Sequence, residues 1–487
     1  MRLHHLSLTN FRKFTRLDLD FPQRPVLLTG ANAQGKTTVL EAIYFLAAFT
    51  SFQTNTDRQL INFIEADKKD ASAVARLIAD YQRGVRKHRI EARLILEPVG
   101  VLNGQRLRKE VLLDGVKKPL NDVIGQFNAV VFVPQMSQII EGAPEERRRY
   151  LNLALAQSTP AYARALGEYG QVVTQRNALL KTLSERGGNS DQLEVWDEAL
   201  ARLGSQIILW RIEAVQQIQT LASRVHFELT HGTETLRLSY EPAYDPLPQP
   251  TGQLGLKMDT VVDRSGLTLN EIENGFRARL RELRNDEIAR GVTTIGPHRD
   301  ELRFFANGID LGNYGSRGQV RTALLALKLA EVNWMKERTG EWPVILLDEV
   351  MAELDLQRRA DLLKYVGESE QVLFTTTDLK LFAPEFVEGA DVWKVGSGKV
   401  ESDVVAEGRS PTKQLPSVRG VASRYARNDM PLSDSFIQSI IEKIDSPDVL
   451  GVGIVGSYAR GRNQNTATWT STSSSANCPK VNLINTR

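Results

Sequence analysis

The stretch that decides the fold of this chain is Gly30-Ala31-Asn32-Ala33-Gln34-Gly35-Lys36-Thr37, which matches the pattern G-x-x-x-x-G-K-[ST]. A short apolar run, residues 25–29, precedes it, and apolar side chains at helical spacing follow it from Val39 to Ala47. A strand, a glycine-containing loop and a helix in this order are typical of a phosphate-binding loop. The glycines let backbone N–H groups approach an anion closely, and the helix directs its positive end at the same point.

We therefore predict that this phosphate loop (residues 30–37), with Thr38 behind it, binds the phosphates of ATP. Lys36 should reach the β- and γ-phosphates, and the hydroxyl of Thr37 should bind Mg²⁺.

An apolar strand that ends in two acids supplies the expected partner of the phosphate loop. Its sequence is Val344-Ile345-Leu346-Leu347-Asp348-Glu349. We predict that Asp348 holds Mg²⁺, directly or through water, and that Glu349 polarises the attacking water as a general base. Such a strand is common on its own, but in a chain with a phosphate loop it indicates an ATPase.

A third element is the signature turn (residues 316–319), Ser316-Arg317-Gly318-Gln319, which precedes a helix predicted over residues 320–332. Because a helix N-terminus attracts anions, this turn would be a second phosphate-binding end in one chain. Two such ends make sense if two copies face each other and each closes the other's nucleotide. We therefore predict that Ser316, Gly318 and Gln319 act on the ATP bound by a second copy.

The order phosphate loop, signature turn, acidic strand is that of ABC-type ATPases. Gln135 follows the apolar run 130–133 and stands where such proteins have a glutamine loop, so we count it among the nucleotide-binding residues. Residues 352–355 fit the loop that crosses to the partner, and residues 375–378 fit a γ-phosphate sensor.

Residues 145–227 have helical spacing that is interrupted at Gly187-Gly188. The pattern predicts two long antiparallel helices joined by a glycine turn, either packed on the core as a subdomain or projecting as a short arm. Short strands are predicted between residues 74 and 135, with a hairpin turn at Asp114-Gly115. A basic helix is predicted over residues 269–288.

Composition excludes several classes of protein. The 487 residues contain 61 Lys and Arg against 59 Asp and Glu, so the net charge of +2 gives no general attraction to nucleic acid. The lone cysteine excludes an intrachain disulfide scaffold and a cysteine-rich metal site. No apolar run approaches the length of a signal core or a membrane span, so we expect a cytoplasmic protein without membrane contact.

Local basic clusters are candidate contacts for nucleic-acid phosphates, although a charged cluster is more often only a solvated surface. Phosphate contacts of this kind would give little sequence specificity and strong salt dependence. The candidate clusters are Arg83, Arg86, Lys87, Arg89; Arg106, Arg108, Lys109; Lys117, Lys118; Arg147, Arg148, Arg149; and Arg277, Arg279, Arg281, Arg284.

Taken together, these motifs resemble the RecF family of DNA replication and repair proteins, within the wider ABC/SMC group. The likeness covers roughly residues 1–405, and Gln135 departs from it because many RecF sequences have an acidic residue there. Six further segments carry it: Asn10-Phe11-Arg12, Leu40-Glu41-Ala42-Ile43-Tyr44, Thr50-Ser51-Phe52, Gly142-Ala143-Pro144-Glu145-Glu146-Arg147-Arg148-Arg149, Gly296-Pro297-His298-Arg299-Asp300 and Gly315-Ser316-Arg317-Gly318-Gln319.

The resemblance implies an α/β fold, an ABC/SMC-type P-loop ATPase head with a helical lobe II. Lobe I would comprise residues 1–140 and 291–407, and lobe II residues 141–290 with its short helical hairpin. The resemblance further implies weak, DNA-stimulated ATP hydrolysis, an ATP-dependent homodimer, and binding to double-stranded, gapped or junction DNA. It implies work in replication, recombinational gap repair and the SOS response, beside RecO and RecR, to help load RecA.

Two other functions stay open at this point. One is an ABC-type ATPase subunit of a different DNA-processing or transport machine, whose activity would ignore DNA. The other is an ATP-gated structural clamp, in which ATP binding alone stabilises a DNA-bound dimer and hydrolysis is incidental.

The tail, residues 408–487, differs in composition from the rest. It begins as a proline-containing linker, and the segment 453–461 resembles the start of a nucleotidyltransferase domain. That chemistry needs two metal-binding carboxylates, yet no Asp or Glu follows Asn463. We therefore predict an incomplete remnant that is largely irregular.

Overall fold

The structure is a computed structural model that describes residues 1–67, 72–99, 104–247, 262–396 and 398–402. The chain divides into two units, Met1–Val405 and Ala406–Arg487. The predictions for the tail concern the nucleotidyltransferase-like segment and the irregular C-terminus, and they lie outside the described residues. Within the described part of the chain, no helix is both long enough and apolar enough to cross a membrane.

The strands of the described residues form three sheets. They are β1 Arg2–Phe11, β2 Phe14–Asp20, β3 Val26–Thr29, β4 Ala73–Arg83, β5 Arg86–Val99, β6 Gly104–Leu113, β7 Val116–Lys118, β8 Ala129–Phe132, β9 Leu236–Glu241, β10 Glu301–Ala306, β11 Ile309–Asp310, β12 Val344–Asp348, β13 Val372–Thr376, β14 Asp391–Gly396 and β15 Lys399–Ser402.

Helices cover and connect these sheets. They are α1 Lys36–Ala48, α2 Phe63–Ala66, α3 Leu120–Val123, α4 Gln138–Glu141, α5 Pro144–Ser158, α6 Pro160–Arg186, α7 Glu194–Leu229, α8 Leu269–Arg290, α9 Leu311–Tyr314, α10 Arg317–Thr339, α11 Val350–Glu353, α12 Leu356–Val366 and α13 Pro384–Gly389.

The central sheet brings together the segments that the sequence singled out. Its order is β15-β14-β3-β13-β12-β8, and the five strands from β14 to β8 run parallel. The strands β3, β12 and β13 are apolar and almost entirely buried, as expected for a parallel sheet covered on both faces. Because parallel strands end at the same edge, the phosphate loop after β3, Asp348 and Glu349 at the end of β12, and Gln135 after β8 all lie along one edge.

An antiparallel sheet of order β2-β1-β4-β5-β6-β7 packs against α1 and one face of the central sheet, with which it shares a hydrophobic core. The strands predicted between residues 74 and 135 are part of these two sheets. The predicted hairpin turn is present between β6 and β7, where Asp114 (φ 51°) and Gly115 (φ 80°) are both left-handed. A third, three-stranded sheet has the order β11-β10-β9.

The helical hairpin consists of α6 and α7, and Gly187 and Gly188 both have positive φ in its connection. Half of the 36 residues of α7 are buried, and they share a core with α10 and α8. Even at the tip of the hairpin, Leu180, Leu183 and Leu193 form a small cluster against Ile288 of α8. The hairpin is therefore packed, and the alternative of a projecting arm is wrong.

One of the family-like segments, residues 296–300, is anchored to the helical region. The Asp300 side chain is buried and accepts hydrogen bonds from Arg211 Nη1 of α7 (2.7 Å), the Ala243 N–H (2.9 Å) and the Tyr240 hydroxyl. Arg211 is also buried, and it donates to the Pro297 carbonyl oxygen at 2.6 Å. This pair holds the segment 296–300 on the long helix.

Candidate nucleotide site

The phosphate loop has the backbone conformation that its glycines predict. Gly30 (φ 142°) passes so close to β14 that a Cβ atom would overlap the carbonyl oxygen of Val395. At Gly35 (φ 112°) a Cβ atom would lie 2.6 Å from Lys13 Cε and 2.9 Å from Phe14 Cζ. Ala33 is also left-handed, with φ 61°. The loop is therefore tightly turned and pressed against the turn between β1 and β2.

Lys36 is the first residue of α1, and its side chain is nearly fully buried. Its Nζ donates to the carbonyl oxygens of Gly30 (2.6 Å) and Ala31 (3.3 Å), and it lies 3.1 Å from Glu349 Oε1. The ammonium thus lies curled within its own loop, where phosphate oxygens can take the place of the two carbonyls. Lys36 and Glu349, predicted separately from the sequence, are in contact.

Thr37 and Asp348 are brought together across more than 300 residues of sequence. The hydroxyl of Thr37 donates to Asp348 Oδ1 at 2.7 Å, and the hydroxyl of Thr375 on β13 donates to the same oxygen at 2.7 Å. Burial raises the pKa of the Asp348 carboxyl above its usual value, against the lowering effect of these two hydrogen bonds. A hydroxyl and a carboxylate are hard oxygen ligands, so these residues fit the Mg²⁺ that the fold implies.

Glu349 is held in an unusual backbone conformation at the end of β12. Its φ of 53° is left-handed, and its N–H donates to the hydroxyl oxygen (3.0 Å) and the carbonyl oxygen (3.3 Å) of Thr375. Non-glycine residues in this region carry strain and cluster at functional sites. Its Oε1 atom is buried and has no hydrogen-bond partner among the described residues. Its closest cation is the Lys36 ammonium at 3.1 Å, so this oxygen can accept from a water when the ammonium turns to phosphate, as a base that positions water would need.

The remaining residues predicted to bind the nucleotide along this edge are more exposed to solvent. Ala31, Asn32 and Ala33 are exposed, whereas Gln34, Thr37 and Thr38 are half-buried. Gln135 lies exposed in a short 3₁₀ turn, Pro134–Ser137, directly after β8. Because β8 neighbours β12, this turn stands at the Asp348 end of the edge.

The signature turn caps α10. The hydroxyl oxygen of Ser316 accepts the Gln319 N–H (3.2 Å), and Gln319 Oε1 accepts the Ser316 N–H (3.1 Å), which completes a capping box. Gly318 is exposed, with no atom closer than 3.9 Å to the position of a Cβ. Arg321 of α10 pairs with Glu353, so the turn lies beside the segment 352–355. None of the hydrogen bonds or ion pairs of residues 316–319 in the described part of the chain reaches the phosphate loop.

Sequence reasoning missed Lys13, which lies against the phosphate loop. Its Nζ donates to the carbonyl oxygen of Ala33, and burial lowers the pKa of its ammonium. It forms no ion pair with another described residue, so it adds positive charge beside the loop. A single Lys in a strand turn carries no signal in the sequence.

Three of the family-like segments are in contact at one buried carboxylate. Glu41 of α1 is fully buried and accepts from Arg12 Nε (2.9 Å), Arg12 Nη2 (2.6 Å) and the Ser51 hydroxyl. Arg149 of α5 donates to the Ser51 carbonyl oxygen at 2.8 Å. This network ties the helix of the phosphate loop to the edge of the helical region.

Most of the basic clusters are engaged within the chain. Arg147 pairs with Glu301, and Arg148 donates to the Asp300 carbonyl oxygen. The four arginines of the α8 cluster, residues 277–284, pair with acids. Other members remain exposed and form no ion pair with a described residue. These are Arg86, Lys87, Arg106 and Lys118.

Comparison with known proteins finds matches over most of the chain. The family model described as "RecF/RecN/SMC N terminal domain" matches residues 2–390. The DNA replication and repair protein RecF of Chloroflexus aurantiacus is 37% identical over 410 residues, which is 82% of this chain and 99% of that protein. The RecF protein of an Exiguobacterium strain is 35% identical over 405 residues, 83% of this chain and all of that protein.

Solved structures agree with the sequence comparison. A structure described as the recombination mediator protein RecF with ATP, in the RecFOR pathway, superposes with a TM-score of 0.68 and 30% identity. It covers 82% of this chain and 97% of the solved one. Together with the phosphate loop, the acidic strand and the packed helical hairpin, these matches show that the chain belongs to the RecF family of DNA replication and repair proteins.

Proposed function

We propose that this chain is a DNA-binding ATPase of recombinational gap repair and replication, acting in the cytoplasm and in the SOS response. It binds Mg-ATP, dimerises when ATP is bound, and hydrolyses ATP slowly with stimulation by double-stranded, gapped or junction DNA. Its partners are RecO and RecR, with which it helps to load RecA. In this proposal residues 1–140 and 291–407 form lobe I, residues 141–290 form lobe II, and residues 408–487 follow as a tail.

The observation that carries this proposal is the meeting of Lys36, Thr37, Asp348 and Glu349 at one edge of the parallel sheet. Lys36 binds the β- and γ-phosphates by charge-assisted hydrogen bonds in place of those it makes to loop carbonyls. Thr37 and Asp348 hold Mg²⁺, which neutralises phosphate charge when bound. The backbone N–H groups of the phosphate loop and α1, including that of Thr38, face the phosphates.

Glu349 holds the water that attacks the γ-phosphate and receives its proton. The Gln135 turn completes the same edge from β8. Ser316, Gly318 and Gln319 act at the N-terminus of α10 on the nucleotide of a second copy. The Gln319 side chain also closes the capping box that shapes this turn.

DNA binding is proposed for the exposed end of the antiparallel sheet. Arg86 and Lys87 begin β5, and Lys118 lies on β7, on the far side of β6. A hydrogen bond of 2.9 Å between His88 and Asp114 links the two turns at this end. Since these cations have no acidic partner among the described residues, phosphate groups can bind them without first breaking an ion pair.

The first experiment is steady-state ATP hydrolysis with and without double-stranded DNA. We expect DNA to stimulate hydrolysis, and the stimulation to fall steeply as salt is raised, because phosphate contacts release counterions. Lys87→Ala and Lys118→Ala should reduce the stimulation, whereas Lys364→Ala, an exposed lysine on α12, should not. Hydrolysis that ignores DNA would favour an ATPase subunit of a different machine.

A second prediction concerns Glu349→Gln. We expect ATP hydrolysis to fall by a factor on the order of 10²–10⁴, the usual contribution of a general base. ATP affinity should change little, because the amide keeps the size of the side chain. Phosphate release and titration with a fluorescent ATP analogue measure the two quantities.

Glu368→Gln, an exposed glutamate after α12, is the matched control and should hydrolyse ATP like the wild type. Unchanged hydrolysis in Glu349→Gln would remove the general-base assignment. If this variant loses hydrolysis yet retains DNA longer with ATP, the chain acts as an ATP-gated clamp.

A further inference from the structure

The side-chain amide of Gln319 is engaged at both ends. Its oxygen accepts the Ser316 N–H, and its Nε2 donates to Glu234 Oε1 at 2.9 Å. This assignment is consistent, since a carbonyl faces a donor and an NH₂ faces a carboxylate. Gln319 therefore joins the signature turn to a residue that lies 85 positions earlier in the sequence.

Glu234 is itself firmly held. It follows the left-handed residues His231 (φ 51°) and Gly232 (φ 79°) in the tight turn that ends α7. Its N–H donates to the Thr230 hydroxyl oxygen at 3.3 Å, and the next residue, Thr235, donates its N–H to Asn307 Oδ1 at 2.9 Å. Because the backbone is held on both sides, the Glu234 side chain starts from a fixed position next to Gln319.

The surroundings leave this carboxylate free for Gln319. His226 Nε2 lies 3.8 Å from Glu234 Oε2, and neither ring nitrogen has a hydrogen-bond partner among the described residues. Burial lowers the pKa of this histidine, which favours its neutral form. Glu234 and Gln319 line a cavity of about 330 Å³, and Arg358, the one arginine or lysine among the described residues of its lining, is paired with Asp355.

We propose that Glu234 is a positioning residue for the signature turn, through which the long helix of the helical region orients Ser316 and Gly318 toward the ATP of a second copy. This inference rests on the proposed function, because it assigns Glu234 to the ATP-dependent dimer. Without Glu234 the Gln319 amide can rotate, and the N-terminal turn of α10 loses its fixed shape.

The experiment measures ATP-dependent dimerisation by sedimentation equilibrium, in the Glu349→Gln background to prevent hydrolysis. Glu234→Ala should weaken dimerisation about 5- to 50-fold, within the usual range of coupling between sites. Glu234→Gln should dimerise nearly as well as the parent, because its amide oxygen still accepts from Gln319. The control Glu241→Ala, which removes an acid of β9 near Arg303, should have no effect.

A charge exchange gives a sharper test and does not depend on the stability of the alanine variant. Gln319→Glu preserves the capping box, since Ser-x-x-Glu is a standard one, but places two carboxylates in contact. It should therefore dimerise poorly, and the double variant Gln319→Glu with Glu234→Gln should regain dimerisation because donor and acceptor are exchanged. A merely structural role of either residue does not predict this rescue.

Each possible result of these dimerisation measurements supports or overturns the inference. If the parent dimerises with ATP and Glu234→Ala does so equally well, the inference is overturned while the proposed function stands. Loss in Glu234→Gln equal to that in Glu234→Ala, or no rescue in the double variant, also overturns it. A parent that stays monomeric with ATP overturns the proposed function and the inference with it.

Discussion

Replacing Lys36 with alanine should weaken ATP binding by about 10- to 150-fold, the equivalent of about 1.5–3 kcal/mol for a charge-assisted hydrogen bond. The side chain is the buried cation at the centre of the phosphate loop, so its loss leaves the phosphates without their closest positive charge. It also leaves the nearby Glu349 carboxylate without its partner at 3.1 Å, which adds repulsion toward the nucleotide. Titration with a fluorescent ATP analogue measures the change.

The matched control is Lys364→Ala, which removes the same side chain from the exposed surface of α12 and should leave ATP affinity unchanged. Circular dichroism should show that both variants keep the helical content of the parent. A folded Lys36→Ala protein with unaltered ATP affinity would refute the phosphate-loop assignment.

Asp300→Asn should lower the free energy of unfolding by about 3–5 kcal/mol, the usual cost of leaving a buried charge without its partner. Three donors converge on the Asp300 carboxylate, from Arg211, Tyr240 and the Ala243 N–H. An asparagine offers only one acceptor oxygen, and its NH₂ group must face a donor. Urea unfolding followed by circular dichroism measures the loss.

A double-mutant cycle separates the ion pair from general damage to the core. Arg211→Met should also destabilise, but combining it with Asp300→Asn should cost less than the sum of the two, with a coupling of about 0.5–3 kcal/mol. Glu282→Gln, which breaks the exposed pair with Arg279, should cost at most about 1 kcal/mol. Additive losses from Arg211→Met and Asp300→Asn would show that the two side chains do not act as a pair.

The parts of the candidate nucleotide site could be located in the sequence because each part is local. The phosphate loop needs glycines at fixed offsets from Lys36, and the acidic strand needs an apolar run that ends at Asp348. The helical hairpin could be predicted equally well, since the helical spacing of its apolar residues and the glycines that interrupt it lie within one continuous segment. In these cases the residues that form the sequence pattern are the same residues that form the structural element.

Whether that hairpin packs or projects could not be read from its spacing. An apolar stripe predicts that one face is covered, but it does not say by which element. In the structure α10, α8 and the strands of the third sheet cover α7. This choice depends in large part on α8 and α10, which begin 40 and 88 residues after α7 ends, and their position follows only from the assembled fold.

The sequence by itself determined the class of fold, the phosphate loop, and the acids expected to act on ATP. Three contacts were decided by the tertiary structure alone. Arg12 and Ser51 donate to Glu41. Lys13 contacts the phosphate loop, and Gln319 donates to Glu234. The physical reason is that a motif or a helical period is written in neighbouring residues. A hydrogen bond between distant segments depends on where folding places two side chains, and no spacing along the chain records it.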